Sequence, residues 1–313
     1  MMKAIVIENY GGKEELKEMQ VENPKAKAKQ VVVEVKATSI NPIDWKLREG
    51  YLQQMMDWPF PIILGWDVAG VISEIGEGVI DWKVGDEVFA RPETTRFGTY
   101  AEYTIVDQAL LAKIPDNVSF EEAAAVPLAG LTAWQGLFDH GKLKKGETVL
   151  IHAGAGGVGT YAIQLAKSIG AKVIATASKK NRELLVELGA DQVIDYKTEN
   201  FAEILDGVDL VLDTMGGEIQ NDSFKVLKPK TGRMISIVGL ADEEVRKQYD
   251  VEFESIWLDP NGQELTEIAD LMAAGNVKSI IGSKFPLSAK GIYDAHELSE
   301  THHALGKIVI VAN

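Results

Sequence analysis

The chain has 313 residues, 46% of them hydrophobic, which suits globular folding and is long enough for two domains with sizeable cores. Its 47 acidic against 32 basic residues give a formal charge of -15; such a surface repels phosphate backbones, so no nucleic-acid partner is expected. Cysteine is absent, which excludes disulfides and thiolate metal ligands, and with no secretory-type opening run and no apolar stretch near the ~20 residues that span a bilayer, a soluble cytoplasmic protein without a membrane partner is expected.

The first third reads as strands and turns. AIVIE (4–8) and VVVEVKAT (31–38) are β-branched and bounded by polar, Gly- or Pro-containing segments. VAGVISEIG (68–76) follows, and in WKVGDEVFA (82–90) the Val-Gly-Asp step sets a turn before a strand. YAEYTIV (100–106) alternates apolar and polar residues as a half-buried strand should. Many short strands with this punctuation predict an antiparallel barrel or sandwich.

Near residue 119 the character changes. Ser119 and Glu122 fit a capping box opening SFEEAAAV, which Pro127 interrupts, and a second helix is predicted over 131–139. From Thr148 the pattern alternates: TVLIHA (148–153), KVIATA (172–177), QVIDY (192–196), DLVLDTM (209–215) and RMISIVG (233–239) read as strands with helices between them. That alternation means βαβ units and a parallel sheet, so the fold class is α/β. One helix, LTEIADLMAAG, leads after about residue 265 into a mixed tail ending in KIVIVA (307–312), a strand able to return to the first domain.

The stretch HAGAGGVGTYAIQLAK (152–167) gives up side chains at one bend. Gly154, Gly156 and Gly159 form G-x-G-x-x-G between a strand and a helix, with Gly157 added. In this setting Gly154 would permit a tight turn, Gly156 the approach of a pyrophosphate, and Gly159 close packing of helix on strand. The helix start from Val158 to Thr160 offers free N–H groups and a positive dipole end to the phosphates. The bend is expected to hold a dinucleotide.

HAGAGGVGTYAIQLAK, GWDVAGVISEIG, VGDEVF, AAAVPLAGLTAWQGL and GKIVIV together, in order and over nearly the whole chain, resemble the zinc-free medium-chain dehydrogenase/reductases, the quinone oxidoreductase group. The resemblance implies a GroES-like β-barrel catalytic domain from residues 1–122 and 266–313, with a Rossmann doubly wound sheet over 123–265 and the nicotinamide between them. It also implies a homodimer formed through the Rossmann edge strands. Zinc-containing relatives carry ligands at the places matching Asn41 and Trp66; Asp44 and Asp67 alone would make a poor tetrahedral set, and no metal is expected. The His302-His303 pair reads as exposed helix surface.

Without a Lewis acid, a quinone or an α,β-unsaturated carbonyl is the less demanding acceptor, because hydride arriving at a conjugated carbon leaves a delocalised enolate that hydrogen-bond donors can stabilise. A small-molecule electrophile of this kind, a quinone, enone or alkenal, is therefore the expected partner. The loop INPIDWKLREGY matches the family loop beside the nicotinamide, which makes Asn41, Asp44 and Tyr51 the catalytic candidates. Asp44 alternatively caps a short helix after Pro42, and Tyr51 is either a proton donor or an exposed loop residue. Thr132 matches a family cofactor contact at a helix start, or else serves only as a cap. Gly239, closing RMISIVG, joins the cofactor-binding set.

Cofactor choice follows from the end of the second Rossmann strand. NAD-specific sites place a carboxylate there for the ribose 2′-OH. Here KVIATA is followed by Ser178, Lys179, Lys180, Asn181 and Arg182, none of them acidic. A hydroxyl and an ammonium can hold a 2′-phosphate by charge-assisted hydrogen bonds, so NADPH is expected, with Ser178 and Lys179 as the contacts. Tyr196 matches a family tyrosine reaching the same phosphate. Two other readings remain at this level: an enoyl-thioester reductase of the same superfamily, and a non-catalytic dinucleotide sensor.

Overall fold

In the computed structural model, which describes residues 1–312, the β-branched runs of the N-terminal third pair as antiparallel ladders. Along the chain these are β1 (Met2–Ile7), β2 (Lys17–Val21), β3 (Gln30–Ile40), the short helix α1 (Pro42–Arg48), β4 (Ile62–Ile63), β5 (Val68–Ile75), β6 (Glu87–Ala90), β7 (Tyr103–Asp107) and β8 (Leu111–Lys113). The ladder β3-β5-β6-β8 buries Val31, Val33, Val35, Val68, Ile72 and Val88 as one apolar cluster. Helix α2 (Phe120–Ala124) opens on the expected capping box, with Ser119 N donating to Glu122 Oε2 at 2.9 Å and Glu122 N to Ser119 Oγ at 3.3 Å. As expected, α2 stops short of Pro127, and the proline itself begins α3 (Pro127–Trp134), at the position where a missing N–H costs nothing. The helix predicted over 131–139 therefore starts earlier and continues as a π-helical turn, Gln135–His140.

The middle of the chain alternates as expected: β9 (Thr148–Ile151), α4 (Gly157–Ser168), β10 (Lys172–Ala177), α5 (Arg182–Glu187), β11 (Gln192–Asp195), α6 (Phe201–Ile204), β12 (Leu210–Asp213), α7 (Gly217–Ser223), β13 (Arg233–Ser236), α8 (Glu243–Arg246) and β14 (Glu252–Ser255). The six strands are all parallel in the order β11-β10-β9-β12-β13-β14, so the chain reverses direction across the sheet at β9. Ligands of such sheets bind outside the carboxyl ends of the strands at that switch point. Leu150, Ile174, Ile194, Val211 and Met234, one from each of β9 to β13, lie in the core of this sheet.

The last segment contributes α9 (Gly262–Ala273), β15 (Ile281–Pro286), α10 (Ala289–Glu300) and β16 (Lys307–Val311). β16 pairs antiparallel with β3, placing Ile308 against Ile40 and Val309 against Ser39, so the terminal strand does return to the N-terminal sheet. The chain divides into one unit of Met1–Ala129 with the segment from Pro260 onward, and a second of Gly130–Asp259. His302 and His303 are exposed but lie in the turn beyond α10 rather than on the helix.

Candidate active site

The glycine bend joins β9 to α4. Its one left-handed residue is Ala153, with φ of 47°, so Gly154 is not required by a tight turn as the motif suggests. Gly154 is required by packing: a Cβ there would lie 2.9 Å from Ala175 Cβ and 3.0 Å from Leu185 Cδ1. Gly159 seats the first turn of α4 on the strand, since a Cβ would come within 2.4 Å of Ala153 O and 2.7 Å of Gly154 Cα. Gly156 differs from both. Its backbone is extended, with φ -82° and ψ 178°, and a Cβ would make one tight contact, 3.2 Å to Ala153 O. Backbone strain does not account for its missing side chain, and the single contact crowds it far less than the contacts at Gly154 and Gly159 would crowd theirs, which leaves room for something outside the chain. Helix α4 has no side-chain cap, so the N–H groups of Gly157, Val158 and Gly159 have no intrahelical acceptor and stand at the positive end of the dipole. His152 anchors the bend through Thr176 Oγ1 at 3.2 Å and Ser223 Oγ at 2.8 Å, and burial lowers its pKa to about 4, which keeps it neutral.

Beyond Ala177 the second strand of this sheet ends in Ser178, which is buried, and in Lys179 and Lys180, which are exposed and form no ion pair among the described residues. Arg182 is committed to Glu199 at 3.4 Å. Tyr196 follows β11, which runs beside β10 with Asp195 opposite Ala177; its N–H donates to Ala177 O at 3.4 Å, and its side chain is exposed. Ser178, Lys179 and Tyr196 thus gather at one end of the β10–β11 pair. Gly239 lies beyond β13 with φ of 142°, and no described atom outside its chain neighbours lies within 4 Å of where a Cβ would stand. Thr132 is buried in the interior of α3, so it caps nothing.

In the first unit, antiparallel register brings three strand ends together. Asn41 follows β3, Lys307 begins β16 opposite it, and Asp67 precedes β5. All three side chains are buried. Lys307 Nζ donates to Asn41 Oδ1 at 2.5 Å and Ile40 O at 3.0 Å, and lies 3.5 Å from Asp67 Oδ2. Asn41 Nδ2 donates to Asp67 Oδ2 at 2.7 Å, and Ser39 Oγ donates to the same oxygen at 2.5 Å. Asp67 Oδ1 accepts from Leu128 N at 2.8 Å. Burial lowers the Lys307 pKa, while the Asp67 and Asp44 carboxylates oppose the shift.

Asp44 sits one turn into α1, fully buried. Its Oδ2 accepts from Asn41 N at 2.8 Å and Tyr100 Oη at 2.7 Å, which ties the helix start to the preceding strand. Burial raises its pKa to about 7, although both hydrogen bonds act downward. Tyr100 Oη lies 3.2 Å from His296 Nε2, and His296 Nδ1 lies 2.9 Å from the buried Arg48 guanidinium. Arg48 can only donate, so the imidazole proton resides on Nε2. Burial and Arg48 lower the His296 pKa to about 3, and this histidine is neutral. Tyr51 is 71% exposed in the turn after α1, with its hydroxyl unbonded among the described residues. Of the three catalytic candidates, the network therefore unites Asn41 and Asp44 and leaves Tyr51 apart.

Comparison with known proteins places this arrangement. Residues 27–116 match the alcohol dehydrogenase GroES-like domain, and residues 188–310 match the zinc-binding dehydrogenase description. An NADPH-dependent alkenal/one oxidoreductase of Arabidopsis thaliana is 38% identical over 318 residues, covering 99% of this chain and 79% of that protein. The chain belongs to the medium-chain dehydrogenase/reductases. A 2-methylene-furan-3-one reductase of Solanum lycopersicum is 39% identical over 319 residues, with the same coverage of 99% and 79%. The solved quinone oxidoreductase of Coxiella burnetii superposes with a TM-score of 0.92 at 36% identity, covering 100% of this chain and 99% of that one. The two-unit fold is that of this family, a GroES-like domain and a Rossmann domain.

The family description includes zinc, and the donor set here does not fit it. At the two ligand-matching positions, Asn41 Oδ1 already takes the Lys307 ammonium, and Trp66 is wholly buried with its indole N–H donated to Thr95 O at 3.0 Å. Asp67 is saturated by four donors, one of them cationic. An ammonium in this position excludes a second cation. Sequence reasoning missed Lys307, Tyr100 and His296. The signal for Lys307 was a lysine leading an otherwise apolar strand, GKIVIV; nothing local marks the other two.

Proposed function

We propose that this protein is an NADPH-dependent, zinc-independent reductase of quinones and α,β-unsaturated carbonyls. The observation that carries the reading is the buried Asn41–Asp67–Lys307 cluster, a polarised hydrogen-bond donor standing where zinc relatives carry a metal ligand. Asn41 Nδ2 has a second proton that no described group accepts, and this proton serves the carbonyl oxygen of the acceptor. NADPH, when bound, would supply the hydride, and the enolate so formed would take its proton from solvent. Charge arriving on a conjugated acceptor spreads over several atoms and so asks less of one fixed donor than the localised alkoxide of a simple ketone, which a metal stabilises in the zinc relatives. Asp44 has no part in the chemistry directly; through Asn41 N it holds the backbone from which Asn41 projects. Tyr51, exposed and unbonded, shapes the entry for the acceptor.

The cofactor seat comprises Gly154, Gly156, Gly157, Val158 and Gly159 for the pyrophosphate and Ser178, Lys179 and Tyr196 for the 2′-phosphate, with Thr132 and Gly239 toward the nicotinamide half. Gly156 supports this: a Cβ there would meet Ala153 O alone, at 3.2 Å, whereas Cβ atoms at Gly154 and Gly159 would each crowd three neighbours. Lys179 is favoured over Arg182 because Arg182 is already paired. We further place the protein in the cytoplasm as a homodimer joined along the β14 edge. No helix among the described residues is long and apolar enough to cross a membrane, and β14 ends its sheet. Some relatives are named chloroplastic, so cell fractionation decides the compartment. The activity is tested by NADPH consumption across quinones, enones and 2-alkenals; turnover of none of them removes the proposal.

A further inference from the structure

A primary amide presents two nearly isosteric ends, and a buried asparagine has to be told which way to face. Asn41 receives that instruction from both sides. Its Oδ1 meets the Lys307 ammonium at 2.5 Å, and its Nδ2 meets the Asp67 carboxylate at 2.7 Å. Rotating the amide by half a turn would set Nδ2 against Nζ and Oδ1 against Oδ2, donor on donor and acceptor on acceptor. Lys307 is itself held, by Ile40 O at 3.0 Å and by its place in the β16 ladder one step before the Ile308–Ile40 pair. Asp67 is held by Ser39 Oγ at 2.5 Å and Leu128 N at 2.8 Å. Both partners of the amide are therefore fixed before any ligand arrives.

We infer that Lys307 is a positioning residue for reduction: it locks the Asn41 amide so that the remaining Nδ2–H is a preorganised donor to the acceptor oxygen. The inference rests on the reading that Asn41 donates to that oxygen. Lys307 touches no reacting atom. It acts through Asn41, and preorganised donors of this kind act most strongly as charge develops, so its effect belongs in kcat rather than in KM for NADPH.

A double-mutant cycle separates this role from simple structural support. Lys307→Met keeps length and apolar bulk but removes the donor to Oδ1. The expected result is a ten- to hundredfold fall in kcat for an enone, with NADPH binding within threefold of the parent. Asn41→Ala alone should fall by a similar factor, and adding Lys307→Met to it should cost less than a further threefold, because no amide remains to orient. Lys307→Gln, which retains a neutral donor, should lose three- to fivefold, a loss that also vanishes in the Asn41→Ala background; this arm decides the matter if Lys307→Met does not unfold cooperatively. If the lysine substitutions cost the same factor with and without Asn41, the positioning role is overturned. If Asn41→Ala retains full kcat in an otherwise active enzyme, the reading beneath it falls, while the reductase activity stands.

Discussion

The three motif glycines make separable demands, and Gly156→Val is the perturbation that tells them apart. The extended backbone of Gly156 accepts valine, and the new Cβ has one tight neighbour, Ala153 O at 3.2 Å. Replacing a glycine N-cap by a branched residue costs about 1 kcal/mol, which lowers Tm by roughly 2–4 °C for a domain of this size. Cofactor binding should suffer far more. Two N–H bonds to a charged phosphate are worth about 1.5–3 kcal/mol each, so blocking the pyrophosphate should weaken NADPH by more than about 100-fold. Gly159→Ala should behave in the opposite way. Its Cβ would lie 2.4 Å from Ala153 O and 2.7 Å from Gly154 Cα, backbone atoms that cannot swing aside, and overpacking of this kind costs about 1–3 kcal/mol or more. Fluorescence titration with NADPH alongside thermal unfolding reads both quantities. Gly156→Val protein that binds NADPH within threefold of the parent refutes the assignment, and so does one that unfolds as early as Gly159→Ala.

Three further outcomes follow from the same geometry. Lys179→Ala should weaken NADPH about tenfold or more, the scale of one charged hydrogen bond, and leave NADH nearly unchanged; equal loss of both cofactors contradicts the 2′-phosphate role. Prolonged chelation should leave activity intact and elemental analysis should find no stoichiometric zinc, because Lys307 and Trp66 leave no donor set for it; activity lost to a chelator and restored by zinc overturns this. For Asp44, the unfolded carboxyl loses its proton near pH 3.8 and the folded one holds it to about pH 7, so the fold binds one more proton between those values and the stability Asp44 contributes is lost as pH rises. The stability of Asp44→Asn relative to the parent should accordingly climb across that window, by on the order of 4 kcal/mol in total. The buried His152 and His296 act in the opposite sense in both proteins and cancel in the difference; chemical denaturation that shows a flat difference contradicts the buried-acid account.

Much of the fold was legible because its signals are local. The Ser119–Glu122 box lies within one helical turn, the Rossmann strands are apolar runs punctuated by glycine, and the glycine bend is a contiguous motif. Pro127 marks the gap between two helices as expected, but proline also suits a first helical position, and only packing shows that α3 begins there and not at Leu131. β14 was not anticipated, since Glu252, Phe253, Glu254 and Ser255 show too little apolar character to declare a strand; the ladder to β13 makes it one. The site was legible only in part. Asn41 and Asp44 share a loop, but Lys307 reaches Asn41 across 266 positions of sequence and His296 reaches Tyr100 across 196. Such pairings depend on the return of the terminal strand and the packing of α10. No local pattern encodes them, and the exposure of Tyr51 is equally a property of the assembled loop.

The central claim is hydride delivery from NADPH to a conjugated carbon, with the carbonyl oxygen held by hydrogen bonds and no metal. It is tested most directly by turnover of an enone with NADPH deuterated at C4 on the transferred face, the product being read by NMR. The account predicts a single deuterium at the β-carbon of a saturated ketone, an untouched carbonyl, and no comparable turnover of the saturated analogue. Deuterium at the carbonyl carbon, or a saturated ketone reduced as readily as the enone, contradicts it.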